Sequence, residues 1–196
     1  MENIRTILHG VDMDSVETAN EKAIKEGSLR LMSSGEIQLA KRVFGDRISY
    51  NKVWIHHDSY LPFSLQHEHA VMTPHGEIYY RTQLYKDDYS KTSSTEQHTF
   101  IHELSHVWQR ERGMCVICRG LASWIVSYRY RLDGRLLCEY PMEQQAQIIA
   151  DNFILSSWGY ESFLWLYGNE VVTLDGDLRL SEIESSYKSA LRGFPW

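Results

Sequence analysis

The sequence lacks the features that separate domains and those that direct a chain into a membrane. The 196 residues include only 4 prolines, and no repeat, low-complexity stretch or long linker occurs, which predicts one domain over residues 1–196. No apolar run approaches the roughly 20 residues needed to span a bilayer, and the N-terminus lacks the pattern of a signal peptide. We therefore expect synthesis in the cytoplasm, with any export using a route without a cleaved signal.

Basic clusters are missing as well. The formal net charge is −6, with 20 Lys and Arg against 26 Asp and Glu. Nucleic acids and anionic membrane surfaces bind proteins through clustered positive charge. The composition therefore argues against nucleic acid and membrane as partners, while 43% hydrophobic residues are enough to build a core.

Cysteine is scarce, with three residues in the whole chain: Cys115, Cys118 and Cys138. An odd number of cysteines without a signal peptide predicts reduced thiols. A redox pair at Cys115 and Cys118, or a structural metal site that includes Cys138, lacks the surrounding motif or the fourth ligand. We expect buried, inert thiols.

The most informative feature present is the motif His102-Glu103-Leu104-Ser105-His106. Two imidazoles four residues apart on a helix can bind one zinc ion, and the intervening carboxylate faces the water bound to that ion. Ser93 or Ser94, followed by Glu96, predicts a capping box, and no Pro or Gly interrupts the chain from 95 to 112. The pattern predicts a helix over 95–112 that carries a metal site.

A catalytic zinc ion needs a third protein ligand. All nine histidines lie at or before position 106, so a downstream ligand must be Asp, Glu or Cys. Glu143 stands in the first turn of a second predicted helix, 142–157, beside an apolar face whose Ala146 and Ala150 permit close packing against the first helix. We predict Glu143 as the third ligand, the alternative being a residue that only complements the helix dipole.

Upstream histidines are alternative ligands. His67 and His69 alternate along a possible strand, His56 and His57 end another, and His69 is the best of these. His98 is in step with His102 but lies about 12 Å along the helix axis from His106. His98 therefore cannot share a metal ion with His106. We expect His98 to be either a polar residue of the first helical turn or a neighbour that supports His102.

These residue types predict peptide or amide hydrolysis. Zinc held by His102, His106 and Glu143 would activate a water, and Glu103 would act as general base and then protonate the departing amine. A donor for the anionic oxygen is also needed. Tyr140 is our first candidate for that donor, with Tyr79 and Tyr80 as alternatives. A zinc amidase acting on peptidoglycan, or a non-catalytic interaction protein with a decayed motif, would carry the same residues.

The predicted fold is α+β, a predominantly helical, zincin-like domain with a small antiparallel sheet beside the H-E-x-x-H helix. The turn Thr73-Pro74-His75-Gly76 predicts a β-hairpin, whose second strand, through Tyr79 to Arg81, either pairs with substrate or only covers the helix. Residues 1–32 are expected to be a peripheral extension of this domain, either a docking segment or an extra helix. The elements expected are helices at 15–26, 34–44, 95–112, 118–130, 142–157, 161–168 and 180–192, and strands at 51–56, 68–72 and 77–82.

Three blocks, residues 72–80, 101–109 and 143–151, resemble in this order a family of small bacterial zinc metallopeptidases that are Vgr-related and encoded near type VI secretion and Rhs gene clusters. The likeness runs from about Ser33 to about Asn152. It implies a gluzincin-like site with Glu143 as ligand, and an antibacterial effector with a secretion-system carrier, an immunity protein and a protein or peptide substrate. Two departures are Gln147, where gluzincins carry Asp, and the Cys115 and Cys118 pair.

Overall fold

The computed structural model describes residues 26–116 and 127–196. These residues form an α+β fold that is predominantly helical, as the sequence predicts. The strands are β1 (Ser28–Leu31), β2 (Trp54–His57), β3 (Val71–Met72) and β4 (Ile78–Tyr80). The α-helices are α1 (Ser34–Phe44), α2 (Ser94–Glu111), α3 (Met142–Trp158), α4 (Tyr160–Gly168) and α5 (Leu180–Ala190).

Local signals in the sequence account for where the helices begin. Capping boxes open α1 and α2, where Ser33 pairs with Glu36 and Ser93 with Glu96. Pro141 is the N-cap of α3 and so lies one residue before the first helical position. The five predicted helices from 34–44, 95–112, 142–157, 161–168 and 180–192 are confirmed within two residues at either end.

The sheet has the strand order β1-β2-β4-β3 and is mixed. The pairs β1–β2 and β3–β4 are antiparallel, which confirms the hairpin, but β2 and β4 run parallel. The long connection between β2 and β4 lets the chain return to the same end of the sheet before β4 begins, and this made the wholly antiparallel expectation wrong in one pairing. Strand β1 was not predicted, and residues 68–70 form a turn rather than a strand.

The pairing of β4 decides between the two roles expected for its segment, which were pairing with substrate and covering the helix. Since β4 is paired on both sides, its residues Tyr79 and Tyr80 have no free main-chain edge, and the predicted substrate pairing there is wrong. The free edge on this side of the sheet is β3. Residues 28–31, within the segment expected to be peripheral, form the opposite edge strand.

The core places α2 between the sheet and α3. On the sheet side Tyr80, Tyr89 and Phe100 stack in sequence, with ring centroids 4.5 and 5.0 Å apart. On the other side α2 packs against α3 more extensively than any other two helices of the described ranges do. Ala146 and Ala150 are fully buried there, and their small side chains let the helices approach closely. This packing brings the first turn of α3 beside the middle of α2.

Two predicted helices fall largely outside the described residues. Helix 15–26 belongs almost entirely to residues 1–25, and helix 118–130 belongs mainly to residues 117–126. Residues 127–130 are described and are not helical, since Tyr130 forms a bridge with Leu174. In neither described range is there a helix with the length and apolar character needed to cross a membrane.

The prediction of buried, reduced thiols is wrong for Cys115; for Cys138 it is wrong about burial and confirmed about the reduced state. Cys115 is exposed and disulfide-bonded, and Cys138 is a free, exposed thiol. Cys115 follows the last turn of α2 and Cys138 lies in the short 3-10 helix Leu137–Glu139, so neither occupies a position that points into the core. Cys118 lies outside the described residues.

Candidate metal centre

One turn of α2 places two imidazoles on the same buried face. The rings of His102 and His106 have centroids 5.0 Å apart. Glu143, in the first turn of α3, points between them, with its Oε2 3.4 Å from Nε2 of His102 and 3.2 Å from Nε2 of His106. The structure therefore brings together the three side chains predicted as ligands, and their ligand atoms all lie within 4.8 Å of one another.

The spacing of these atoms fits a metal ion. Zinc binds nitrogen and oxygen ligands at about 2.0–2.1 Å, so two ligands at tetrahedral positions lie about 3.3 Å apart. The distances of 3.2 and 3.4 Å from Glu143 to the two histidines match that value. Within residues 26–116 and 127–196, no other group of His, Cys, Asp and Glu meets in this way. The buried group of His102, His106 and Glu143 could thus bind a metal ion.

The protonation of the group in the metal-free protein follows from burial and pairing. Burial acts to raise the pKa of Glu143, but hydrogen bonds with His102 and His106 outweigh it and hold that pKa well below its usual range. Burial acts to lower the pKa of His106, yet the hydrogen bond and charge of Glu143 raise it to about 9. The carboxylate is therefore charged, and a cation entering the site would displace a proton from His106.

Gln109 fixes the orientation of the His106 ring. The side-chain amide of Gln109 donates from Nε2 to the main-chain oxygen of Met142, at 2.9 Å, and to Oε1 of Gln145, at 3.2 Å. Its Oε1 must then face Nδ1 of His106, 2.8 Å away, and this ring nitrogen is the donor. The proton that an entering cation would displace is therefore the one on Nε2, and its loss frees the lone pair of that nitrogen. Gln109 also ties α2 to the first turn of α3.

His106 is held by Gln109 and not by Gln147, the residue that stands where gluzincins carry Asp. Gln147 donates instead to Oδ1 of Asp151, at 2.9 Å, and to the main-chain oxygen of Val171. His98 also pairs with Asp151, at 2.6 Å, so it lies outside the ligand group and does not support His102. Gln109 was not predicted as a site residue, although its position one turn after His106 on the same helix was a usable signal.

Glu103 lies beside the ligand group. It is buried, and its charge contributes to raising the pKa values of both His106 and Tyr128. Its Oε2 accepts a hydrogen bond of 2.6 Å from the hydroxyl of Thr73, in the hairpin between β3 and β4. The position of Glu103 suits a group that exchanges protons with a water at the centre.

The hydroxyls of the three predicted tyrosine donors are either bonded to other groups or fully buried. Tyr140 donates to the main-chain oxygen of Arg131, at 3.0 Å, and to Asp133, at 3.2 Å, while its ring lies under Arg135. Tyr79 donates to Glu77 on the outer face of the sheet. Tyr80 is fully buried in the aromatic stack between the sheet and α2.

Tyr128 is the tyrosine that the structure places at the centre. Its ring lies 6.0 Å from that of His102, between centroids, and the side chain is about half exposed. Burial first, and then the charges of Glu143 and Glu103, raise the pKa of Tyr128 to about 12. The hydroxyl keeps its proton at neutral pH and can donate it in a hydrogen bond. Tyr128 was not predicted as a site residue, because its segment was expected to be helical.

The upstream histidines do not join the group. His67 and His69 are exposed and contact each other, with centroids 5.6 Å apart. His56 pairs with Glu77 at 2.8 Å, and His57 stacks on Tyr85 beneath the sheet. None of these four side chains provides a ligand atom near Glu143 in the structure.

The chain is similar in sequence and in structure to a known protein. No model of a known protein family matches the chain. The type VI secretion system spike protein VgrG2b of Pseudomonas aeruginosa is 40% identical over 133 residues, which are 64% of this chain and 13% of VgrG2b. The chain thus corresponds to a small part of that protein. The solved effector domain of P. aeruginosa VgrG2b is similar in structure, with a TM-score of 0.61 and 35% identity, over 78% of this chain and 86% of that domain.

Most of that domain is matched at an identity that reflects common descent, so the chain belongs to the family of the VgrG2b effector domain.

Proposed function

We propose that the protein is a zinc-dependent peptidase that acts as an effector delivered by a type VI secretion system. The observation that carries the enzymatic part is the group of His102, His106 and Glu143, in which the separations of Glu143 from the two histidines match a tetrahedral site. Two imidazoles and a carboxylate leave the fourth position open for water, as in catalytic rather than structural zinc sites. Glu103 stands beside that position as the general base.

The roles of the residues follow from their positions. A zinc ion held by His102, His106 and Glu143 would lower the pKa of a bound water and polarise the scissile carbonyl. Glu103 accepts the proton of the attacking water and passes it to the departing amine. Tyr128 donates a hydrogen bond to the carbonyl oxygen as that oxygen becomes negatively charged.

An extended peptide is the substrate that the surroundings favour. Strand β3 is a free edge of the sheet, and the chain continues from Met72 directly into Thr73, which contacts Glu103. A peptide that paired with this edge would form main-chain hydrogen bonds and run past the general base. This supports cleavage of proteins or peptides.

The family supports the effector role. VgrG2b is a type VI spike protein, and the part of it that this chain resembles in structure is its effector domain. We infer that this protein is carried by the secretion apparatus into a target cell, and that the producing cell holds an immunity protein that binds it.

Two variants test the enzyme. Glu103→Gln should keep bound zinc and the fold but lower kcat by a factor on the order of 10² to 10⁴, the usual contribution of general acid–base catalysis. Glu143→Ala should lose zinc affinity itself. Glu111→Gln, at the exposed end of the same helix, is the matched control and should change neither quantity. The measurements are metal content by mass spectrometry and cleavage of a peptide library.

Each outcome has a consequence. Full activity in Glu103→Gln would show that Glu103 is not the general base. Unchanged zinc affinity in Glu143→Ala would show that another residue is the third ligand. Cleavage of muropeptides in place of the peptide library would replace the peptidase with a peptidoglycan amidase. A folded protein that retains no metal after growth with added zinc would contradict both enzymes.

A further inference from the structure

The hydrogen bond between Thr73 and Glu103 links two parts of the chain that the sequence does not connect. The hydroxyl of Thr73 lies 2.6 Å from Oε2 of Glu103, and both side chains are at least nine-tenths buried. Threonine hydroxyls in turns commonly bond to nearby main-chain groups. This one reaches instead across the chain to a side chain on α2.

The hairpin holds Thr73 in this position from both sides. Before it, Met72 of β3 is paired with Tyr79 of β4. After it, Gly76 has a φ of +81° and lies so close to Arg110 of α2 that an added Cβ would come within 3.2 Å of the guanidinium. The loop therefore lies along α2, with contacts at Glu103 and at Arg110 that are about two turns of the helix apart.

One hydrogen bond orients a carboxylate without saturating it. An ionised carboxylate has about four acceptor positions on two oxygens. A donor held at Oε2 restricts the rotation of the group and leaves Oε1 able to accept a proton from water. Thr73 is the hydrogen-bond donor that the described parts of the chain provide for Glu103.

We propose that Thr73 is a positioning residue for Glu103. Its hydroxyl holds one carboxylate oxygen so that the other faces the attacking water, and it connects the edge strand β3, where a substrate would pair, to the general base. The inference rests on the proposed function and assigns a role to the block 72–80, which the sequence tied to the H-E-x-x-H motif only by resemblance.

Two substitutions separate this role from packing. Thr73→Val keeps the shape and removes the hydroxyl, whereas Thr73→Ser keeps the hydroxyl and removes a methyl group. If the hydroxyl matters, Thr73→Val should lower kcat by roughly 10- to 100-fold with KM and zinc content unchanged, and Thr73→Ser should stay close to the wild-type kcat. A packing role gives the opposite order. Thr99→Val is the control on α2, because that hydroxyl bonds only to a main-chain oxygen.

A second measurement needs neither metal nor activity. In urea unfolding of the metal-free protein, Thr73→Val should lower the midpoint when Glu103 is present and have little effect when Glu103 is replaced by Ala. Equal shifts in both backgrounds would overturn the link between the two side chains. If Thr73→Val does not fold, Thr73→Ala removes the same hydroxyl with less bulk and takes its place in both experiments.

The outcomes also distinguish this inference from the proposed function. An inactive Glu103→Gln together with a fully active Thr73→Val would overturn the role of Thr73 alone. A wild-type protein that cleaves no peptide would contradict the proposed function, and the unfolding experiment would still decide whether Thr73 and Glu103 are coupled.

Discussion

At the scale of single residues, the hydroxyl of Tyr128 is the feature that most affects the proposed chemistry. Tyr128 lies beside His102 and is influenced by the charges of both Glu103 and Glu143. It is also half exposed, so a substrate at the centre could reach it. A donor that acts only as charge develops on the substrate contributes to kcat rather than to binding.

We predict that Tyr128→Phe lowers kcat by a factor on the order of 10², with little change in KM or zinc content, because one donor to the anionic oxygen is lost. Steady-state kinetics on a peptide substrate measures both constants. Tyr140→Phe is the matched control and should leave kcat unchanged, since its hydroxyl bonds to Arg131 and Asp133. The reverse result would restore Tyr140 as the donor.

At the scale of secondary structure, the important contact is the one between α2 and α3. Each helix carries part of the ligand group, so a small shift between them would separate Glu143 from the histidines. Gln109 opposes such a shift because the same amide contacts His106 and the main chain at Met142. It is fully buried, and its loss would leave Nδ1 of His106 without this hydrogen bond and remove the link to the main chain of α3.

We predict that Gln109→Leu weakens zinc affinity by roughly 10- to 100-fold, the usual effect of removing the partner of a ligand histidine. Competition with a chromogenic chelator measures this. Gln97→Leu, a buried residue of the same type on the same helix, should leave the affinity unchanged, because its amide bonds to Ser90 and Thr92. Equal effects of the two variants would indicate general destabilisation of α2.

Asp88, beside the start of α1, should make the stability of the protein depend on pH in the acid range. Asp88 accepts hydrogen bonds from Ser33, the N-cap of α1, and from Ser90, and it pairs with Lys91. Partial burial acts to raise the pKa of Asp88, but its contacts with Ser90, Lys91 and Ser33 outweigh burial and lower it to about 2. Because the folded pKa lies below the unfolded one, the stabilisation is present above the ordinary aspartate pKa of 3.8 and is lost as the pH falls through about 2.

Asp88→Asn should therefore be less stable than the wild type at neutral pH, by on the order of 1 kcal/mol, and this difference should shrink between about pH 4 and pH 2. Thermal unfolding across that range measures it. Asp87→Asn, at the exposed neighbouring residue, should change stability little at any pH. A difference for Asp88→Asn that stayed constant down to pH 2 would contradict the assignment.

At the scale of the whole molecule, Asp151 connects segments that are distant in sequence. This fully buried carboxylate of α3 contacts His98 on α2, Gln147 on its own helix, and the hydroxyl of Tyr130. It also accepts a hydrogen bond from the main-chain nitrogen of Thr173. Tyr130 lies two residues after Tyr128, so the same network holds the segment that carries the candidate donor.

We predict that Asp151→Ala lowers the free energy of unfolding by about 3–5 kcal/mol, because several buried donors lose their acceptor at about 1–3 kcal/mol each. Tyr130→Phe removes one donor to Asp151 and should cost only about 1–2 kcal/mol. Urea unfolding at a fixed zinc concentration compares the two. Similar losses in both variants would show that Asp151 has no central role.

The parts of the fold that were predicted correctly depend on short stretches of chain. Capping boxes mark the starts of α1 and α2, and the turn 73–76 marks the β3–β4 hairpin. The parallel pairing of β2 with β4 and the existence of β1 were not predicted, because strand order depends on contacts between distant segments. For the same reason Tyr140 was chosen in place of Tyr128.

The sequence by itself determined that His102 and His106 lie on one face of a helix, because four residues make about one turn. It also determined that Glu143 lies in the first turn of α3. Only the tertiary structure decided that Glu143 points between the two rings, that Gln109 orients His106, and that Thr73 and Tyr128 lie at the same centre. These contacts join hydroxyl, amide and carboxylate groups from separate segments, and no periodicity in a sequence records which of those segments become neighbours in space.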